Sequence, residues 1–138
     1  MLLELTADLG KLSRIRDFVG EAVVALGIDA SALDDLLLAV DEAVTNILIH
    51  GYGGPGEIEL EISVYGADAL IRLRDQAPAF DADFDHMVDL RAPGGRQKPG
   101  GLGLYLIQNA MDKVSHRVVD GGNELTMTKL AVVSTPGS

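Results

Sequence analysis

The stretch that decides how this 138-residue chain folds is Asp41-Glu42-Ala43-Val44-Thr45-Asn46-Ile47-Leu48-Ile49-His50, at the end of a long helical pattern. Its apolar residues, with those just before it, recur at the spacing of a helix that packs on a sheet. Glu42 and Asn46 are four residues apart, so a helix places them one above the other on one face. A carboxylate can accept a proton and an amide oxygen can ligate Mg²⁺. Such a pair is also common on a solvated helix edge, and this helix alone favours that plainer interpretation.

Composition and charge exclude several classes of protein. The chain has 11 Lys and Arg against 21 Asp and Glu, a formal net charge of −10. It therefore lacks the basic surface of a nucleic-acid binder or of a protein that docks on anionic membranes. A bound polyphosphate would have to be held locally, by backbone N–H groups, a cation and a few basic side chains. There is no Cys, which excludes disulfides and thiolate chemistry and fits a cytoplasmic protein.

The length predicts one domain over residues 1–132, followed by a frayed tail over 133–138. The N-terminus has neither the basic start nor the apolar core of a signal peptide. No apolar run approaches the ~20 residues that span a bilayer, so we expect no membrane segment and a cytoplasmic location.

Hydrophobic periodicity predicts the order strand, helix, helix, two strands, loop, helix, two strands. We expect strands at residues 3–7, 58–64, 69–74, 114–118 and 123–132, helices at 11–26, 31–50 and 102–111, and a loop over 76–100. Ser31 is the expected N-cap of the second helix. Because the strands pair mostly as hairpins, this order predicts an α+β fold. The expected architecture is a two-layer sandwich: a mixed, mostly antiparallel sheet with about three helices on one face.

Two later segments change the interpretation of the Glu42 helix. One is Leu73-Arg74-Asp75-Gln76-Ala77-Pro78-Ala79-Phe80-Asp81, at the end of the central hairpin. The other is Gly94-Gly95-Arg96-Gln97-Lys98-Pro99-Gly100-Gly101-Leu102-Gly103-Leu104, which leads into the third helix. Glycine lets backbone N–H groups approach a ligand closely, and a helix N-terminus offers phosphate free donors and a positive dipole end. Neither the GxxxxGK[ST] nor the GxGxxG fingerprint is present.

Taken in order, the three segments resemble the GHKL (Bergerat-type) ATP-binding fold. The likeness is strongest to small bacterial anti-sigma-factor serine kinases of the partner-switching type, and it covers roughly residues 3–130. Glu-Ala-Val-Thr-Asn at 42–46 with Ile-His-Gly-Tyr at 49–52 matches that group specifically, and Gly-Gly-Leu-Gly-Leu at 100–104 matches it less specifically. Asp75 is kept, whereas Ala77 and Ala79 stand where the family usually has glycine.

The resemblance implies a role for each matching residue. Glu42 would be the base that polarises the attacking hydroxyl, which is a partner's serine in these kinases and water in GHKL ATPases. Asn46 would bind Mg²⁺, the ion that bridges the phosphates of ATP. Asp75 would accept a hydrogen bond from the adenine amino group, beside Ala77.

The glycine-rich segment would hold the phosphates, and residues 81–99 would form a lid over ATP. The phosphate-binding positions are Gly100, Gly101, Leu102, Gly103 and Leu104, the two leucines acting through their backbone. Arg96 and Lys98 lie in that lid. Two interpretations fit them equally well: they are solvated loop charges, or they contact the γ-phosphate.

The function implied by the resemblance is an ATP–Mg²⁺-dependent serine protein kinase that is also an anti-sigma factor. It would sequester a sigma factor and phosphorylate an anti-anti-sigma partner of the STAS type, and the family implies a homodimer. The alternative is a non-catalytic module that holds ATP, or has lost it, and only sequesters a partner. A detached histidine-kinase ATP domain is disfavoured because no helical hairpin with a phosphoacceptor His precedes the motifs. A metabolic hydrolase is disfavoured because no Ser/His/Asp or metal constellation is present.

Overall fold

A computed structural model of the chain describes residues 1–79 and 101–133. From residue 80 onward the predicted loop lies outside the described residues, with its expected lid, Arg96, Lys98 and Gly100. The last five positions of the predicted frayed tail lie outside them as well.

The described residues form five strands and three α-helices. In chain order they are β1 (Leu2–Ala7), α1 (Leu12–Ala25), α2 (Leu33–Asn46), β2 (Gly56–Tyr65), β3 (Asp68–Asp75), α3 (Gly101–Ala110), β4 (Lys113–Val119) and β5 (Gly122–Lys129). Short 3₁₀ turns, Leu9–Lys11 and Ala30–Ala32, precede α1 and α2, and a π-helical turn, Ile47–Tyr52, continues α2.

The strands form one sheet in the order β1-β2-β3-β5-β4, and every neighbouring pair is antiparallel. This confirms the predicted α+β architecture, and the sheet of the described residues is antiparallel throughout rather than mixed. The chain reaches the edge strand β4 before it returns as β5 beside β3. The last hairpin therefore places β5 next to the end of β3, where Asp75 lies.

One face of the sheet and the three helices enclose an aliphatic core. Opposite residues of an antiparallel pair share a face, so Leu60, Leu73 and Leu125 lie in one row across β2, β3 and β5. These positions are buried and cluster with apolar residues of all three helices, such as Val19, Val40 and Ile107. Apolar and polar residues alternate along the strands because successive residues face this core and the open face of the sheet in turn.

Two boundaries differ from the prediction at α2. Ser31 does not cap the helix, because it lies inside the 3₁₀ turn and Ala32 occupies the N-cap without a side-chain hydrogen bond. The α-helical part ends at Asn46, and the π-helical turn then carries the chain to Tyr52. Gly53, at φ +70°, terminates that turn in the left-handed region that glycine adopts without strain.

The last strand is shorter than predicted, because the chain leaves the sheet after Lys129. Beyond it, the backbone N–H of Val132 donates to the Ala67 carbonyl, and the Val132 carbonyl accepts from Asp29. The Lys129 ammonium itself donates to the Ala110 carbonyl (2.7 Å) at the C-terminus of α3 and pairs with Asp35 (2.9 Å) in the first turn of α2. A positive charge is favourable at a helix C-terminus, so Lys129 joins two helix ends to the sheet.

A row of alternating charges crosses the open face of the sheet. Arg74 pairs with Glu59 (3.1 Å) and Glu124 (2.6 Å), and Arg117 pairs with Glu124 (2.8 Å). The Glu124 side chain is only 5% exposed, so it needs these donors. The hydrogen bond from Arg117, followed by that from Arg74, holds the pKa of Glu124 below its ordinary value although burial opposes the shift.

We predict that Glu124→Gln lowers the free energy of unfolding at pH 7 by about 1 kcal/mol, a modest value because both arginines are partly solvated. A carboxylate with a lowered folded-state pKa stabilises the protein above its unfolded-state pKa, and this contribution disappears as pH falls through the folded-state value. The difference between the two proteins should therefore shrink on acidification from pH 7 to pH 3. Urea denaturation across that range measures it.

The matched control is Glu21→Gln, because Glu21 is exposed on α1 and makes no ion pair among the described residues. This control should follow the wild-type pH profile. A Glu124→Gln difference that stays constant with pH would contradict the assignment of the stabilisation to the charged carboxylate.

Candidate functional site

A buried carboxylate lies where β3 ends. Asp75 is 6% exposed and lies opposite Asn123 of β5, which is 1% exposed. Asp75 Oδ1 accepts two hydrogen bonds, from the Ala77 backbone N–H (2.9 Å) and from Asn123 Nδ2 (2.9 Å). No donor from the described residues reaches Oδ2. The carboxylate is therefore held in place on one side and can accept a hydrogen bond from a ligand on the other.

The end of β3 lies unusually close to the start of β5. A Cβ built on Gly122 would be 1.8 Å from the Asp75 carbonyl oxygen, so only glycine allows this approach. The approach brings the following residue, Asn123, within hydrogen-bond distance of the Asp75 side chain. This contact was not predicted from the sequence.

The π-helical turn that continues α2 lies against the segment that follows Asp75. A Cβ on Gly51 would lie 3.1 Å from the Ala77 Cβ, so these two small residues pack closely. The Tyr52 hydroxyl accepts a hydrogen bond from the Gln76 backbone N–H (2.7 Å) and donates one to the Glu57 carbonyl. Burial raises the pKa of Tyr52, and the negative charges of Asp75 and Glu57 act in the same direction. The hydroxyl is therefore a neutral hydrogen-bonding group at physiological pH.

Glu42 and Asn46 are half-buried on α2, upstream of this contact. Their helix neighbours Ala43 and Val44 are buried in the core, so the pair borders the packed surface as its spacing predicts. Among the described residues, neither side chain has a hydrogen-bond or ion-pair partner. The adjacent Asp41, by contrast, is paired with Arg16 of α1 at 2.7 Å.

The glycine-rich segment leads into α3, which begins at Gly101 and packs against α2. Residues 101–104 form its first turn, and Gly100 lies outside the described residues. The first N–H groups of a helix have no acceptor within it and point along the positive end of its dipole. The fold thus assembles the described part of all three segments through α2: its C-terminal turn contacts the Asp75 segment, and its body contacts α3.

The open face of the sheet is chemically different from this helix side. A cavity of about 360 Å³ there is lined by Glu4, Glu57 and Glu59, with Arg74 beside them, and Asp75 also borders it. The carboxylates there repel a polyphosphate, and the one guanidinium is already paired with Glu59 and Glu124. An anionic ligand is therefore better placed on the helix side, at the N-terminus of α3.

Sequence reasoning missed Asn123 and the Tyr52 hydroxyl as parts of the site. A signal for Asn123 was available, because it continues the inward-facing series of Leu125 and Met127 where an apolar residue is expected. A buried polar side chain in such a series needs a partner, and that partner is Asp75. No local pattern indicates the partner of Tyr52, which lies 24 residues away.

Comparison with known proteins gives a consistent result. Residues 5–129 match the histidine kinase-like ATPase domain family. Serine-protein kinase RsbW of Halalkalibacterium halodurans is 37% identical over 108 residues, which cover 75% of this chain and 66% of that protein. Serine-protein kinase RsbW of Listeria monocytogenes is 34% identical over 109 residues, covering 75% and 69%. The chain therefore aligns with about two thirds of the length of these relatives.

Two solved structures share the fold. The RsbU and RsbW domains of a Mycobacterium tuberculosis protein superpose with a TM-score of 0.61 at 19% identity, covering 98% of this chain and 35% of that one. Histidine kinase AdeS of Acinetobacter baumannii superposes with a TM-score of 0.53 at 10% identity, covering 95% and 68%. Within the described residues, no helix combines the length and the apolar character needed to cross a membrane.

We predict that Tyr52→Phe lowers the free energy of unfolding by about 1–2 kcal/mol, because the Gln76 N–H and the Glu57 carbonyl both lose their partner. Thermal and urea denaturation measure this loss. Tyr65→Phe is the matched control, since Tyr65 is 79% exposed at the end of β2. Equal stabilities for the two variants would show that the Tyr52 hydroxyl does not join α2 to the Asp75 segment.

Proposed function

The chain belongs to the histidine kinase-like ATPase domain family, and on that premise we propose that it is an ATP–Mg²⁺-dependent serine protein kinase that acts as an anti-sigma factor. The observation that carries this proposal is the buried Asp75 carboxylate, which keeps one oxygen open to a ligand. The segment that follows Asp75 packs against the turn that continues the helix bearing Glu42 and Asn46. The names of the curated relatives, which are serine-protein kinases, support it.

Asp75 is proposed to select the base. Its open oxygen, Oδ2, would accept a hydrogen bond from the exocyclic amino group of adenine. Recognition by a buried acceptor is selective, because a base that presents a carbonyl oxygen there would leave two acceptors facing each other. The backbone N–H groups at the start of α3, from Gly101 to Leu104, would bind the phosphates together with Gly100.

Asn46 is proposed to hold the Mg²⁺ ion. Magnesium favours oxygen ligands and usually takes only one or two from the protein, the others coming from phosphates and water. A single half-buried amide without a protein partner among the described residues fits that requirement. When bound, the ion supplies the charge neutralisation that phosphoryl transfer needs.

Glu42 is proposed to be the catalytic base. In the transfer step the hydroxyl oxygen of a partner's serine bonds to the γ-phosphorus, the bond from that phosphorus to the β–γ bridging oxygen breaks, and ADP leaves. The serine proton passes to the Glu42 carboxylate. Glu42 is suited to this role because it lies one helical turn from Asn46 on the same face and is not engaged in an ion pair within the described residues.

The proposed partners follow from the resemblance in sequence. The protein would sequester a sigma factor, phosphorylate a STAS-type anti-anti-sigma protein and act in the cytoplasm, as a homodimer. The second candidate function is a sequestering module without catalysis, with which the alanines at positions 77 and 79, in place of the family's usual glycines, are compatible. The packing of Ala77 against Gly51 favours the first candidate, in which the nucleotide pocket is retained. The methyl group that Ala77 has and glycine lacks is accommodated by Gly51 on the facing turn.

The first test is calorimetric titration of the purified protein with ADP and ATP, with and without Mg²⁺. The proposal requires magnesium-dependent binding, followed by transfer of labelled phosphate to a STAS-type protein. Absence of nucleotide binding would favour the sequestering module.

We predict that Glu42→Gln reduces phosphate transfer by about 10²–10⁴-fold, because the variant cannot accept the serine proton. ATP affinity should stay near the wild-type value, since the amide keeps the size of the side chain. Asp34→Asn, an exposed position on the same helix, is the control and should retain transfer. Loss of ATP binding together with transfer would place Glu42 in folding or binding instead.

We predict that Asn46→Ala removes the magnesium-dependent part of nucleotide affinity and leaves binding in the presence of a chelator unchanged. Titration of ADP in both conditions separates the two parts. Thr45→Ala, the neighbouring position on α2, should leave both unchanged. An Asn46→Ala variant with the full magnesium effect would reject Asn46 as a ligand of the ion.

A further inference from the structure

We propose that Asn123 and His116 are positioning residues that make the nucleotide site selective for a 6-aminopurine. They form a hydrogen-bonded chain that ends on Asp75, and we infer that this chain fixes the carboxylate as an acceptor for the amino group of the base. The inference rests on the proposed function, since it concerns the base-recognition part of the same site. Neither residue belongs to the three motif segments.

The Asn123 amide has a defined orientation. Its nitrogen Nδ2 lies 2.9 Å from Asp75 Oδ1 and 3.3 Å from the carbonyl oxygens of both Ala77 and Pro78. All three of these neighbours are acceptors. Rotating the amide by half a turn would point its carbonyl oxygen at three other oxygens, so the amino group must face Asp75.

His116 holds the other end of the amide. The two side chains lie on the core face of neighbouring strands, since His116 is opposite Leu125 and Asn123 is opposite Val118. Asn123 Oδ1 is 3.1 Å from His116 Nε2, and a carbonyl oxygen can only accept. His116 Nε2 must therefore carry a proton, in the neutral ring as well as in the charged one. This donor satisfies a carbonyl group that is almost fully buried.

The hydrogen bonds from His116 through Asn123 determine how Asp75 can bind a ligand. Asn123 and the Ala77 N–H both donate to Oδ1, which opposes rotation of the carboxylate. The open Oδ2 is then only an acceptor. An exocyclic amino group satisfies it, whereas the 6-carbonyl of hypoxanthine or guanine is repelled. Without Asn123, the carboxylate could rotate and would no longer present a fixed acceptor to the amino group.

The test is calorimetric titration with ADP and inosine diphosphate, which carry the same ribose and phosphates but differ at position 6 of the base. The wild-type protein should prefer ADP. In Asn123→Leu, we expect ADP affinity to fall about tenfold, the effect of one buried hydrogen bond to a charged group. Affinity for inosine diphosphate should not fall, so the ratio of the two affinities should narrow about tenfold. Loss of stability alone would weaken both ligands equally and leave the ratio unchanged.

A second pair of variants tests His116 and remains decisive even if Asn123→Leu does not fold. His116→Phe removes the donor to Asn123 and should narrow the ratio of ADP affinity to inosine diphosphate affinity about threefold. This effect is smaller than that of losing a whole hydrogen bond to Asp75. His116→Gln keeps an N–H donor and should restore the wild-type ratio. Thr126→Val, on the open face of β5 opposite Arg72, is the control that should leave the ratio unchanged.

The outcomes separate this inference from the proposed function. A wild-type protein that binds neither ADP nor ATP would refute both. A wild-type protein that prefers ADP, together with folded variants of Asn123 and His116 that keep its preference, would refute the positioning role and leave the proposed function intact. Equal ratios for His116→Phe and His116→Gln would likewise overturn the role of His116.

Discussion

The constraint on which the site depends is the burial of the Asp75 carboxylate. A carboxylate with 6% exposure is costly to bury unless donors contact it, and here one donor is distant in sequence and one is local. Asn123 approaches from β5 because Gly122 allows the strands to come close, and the Ala77 N–H comes from the turn after β3. The pairing of β3 with β5 therefore orients the Asp75 acceptor as well as forming part of the sheet.

The same burial couples the helix layer to the sheet. Gly51 and Tyr52, in the π-helical turn that continues α2, contact the residues that follow Asp75, so the position of α2 and the shape of the Asp75 segment depend on each other. The π-helical turn from Ile47 to Tyr52 makes this contact possible, since it carries the chain beyond the end of the α-helix. Such turns are frequent at functional sites in other proteins. Ala77, which stands where the family usually has glycine, packs locally against Gly51.

The distribution of charge explains how an acidic chain can be proposed to bind a polyphosphate. On the open face, the Glu59 and Glu124 carboxylates are paired with Arg74 and Arg117. On the helix side, the groups proposed to meet the phosphates are dipolar: an amide at Asn46 and the backbone N–H groups of α3. The net charge of −10 therefore says little about the local field where the phosphates are proposed to bind.

The sequence by itself determined the α+β class, the order of the elements, and the shared helical face of Glu42 and Asn46. These features follow from periodicity and from motifs within short stretches of chain, which local reasoning can interpret. It did not determine the real start of α2, because a 3₁₀ turn and the favoured capping sequence around Ser31 compete at the same place. Only the tertiary structure decided that Asn123 reaches Asp75 across 48 residues and that His116 orients Asn123. Hydrogen bonds between residues so far apart depend on strand order and register, which are set by the packing of the whole sheet.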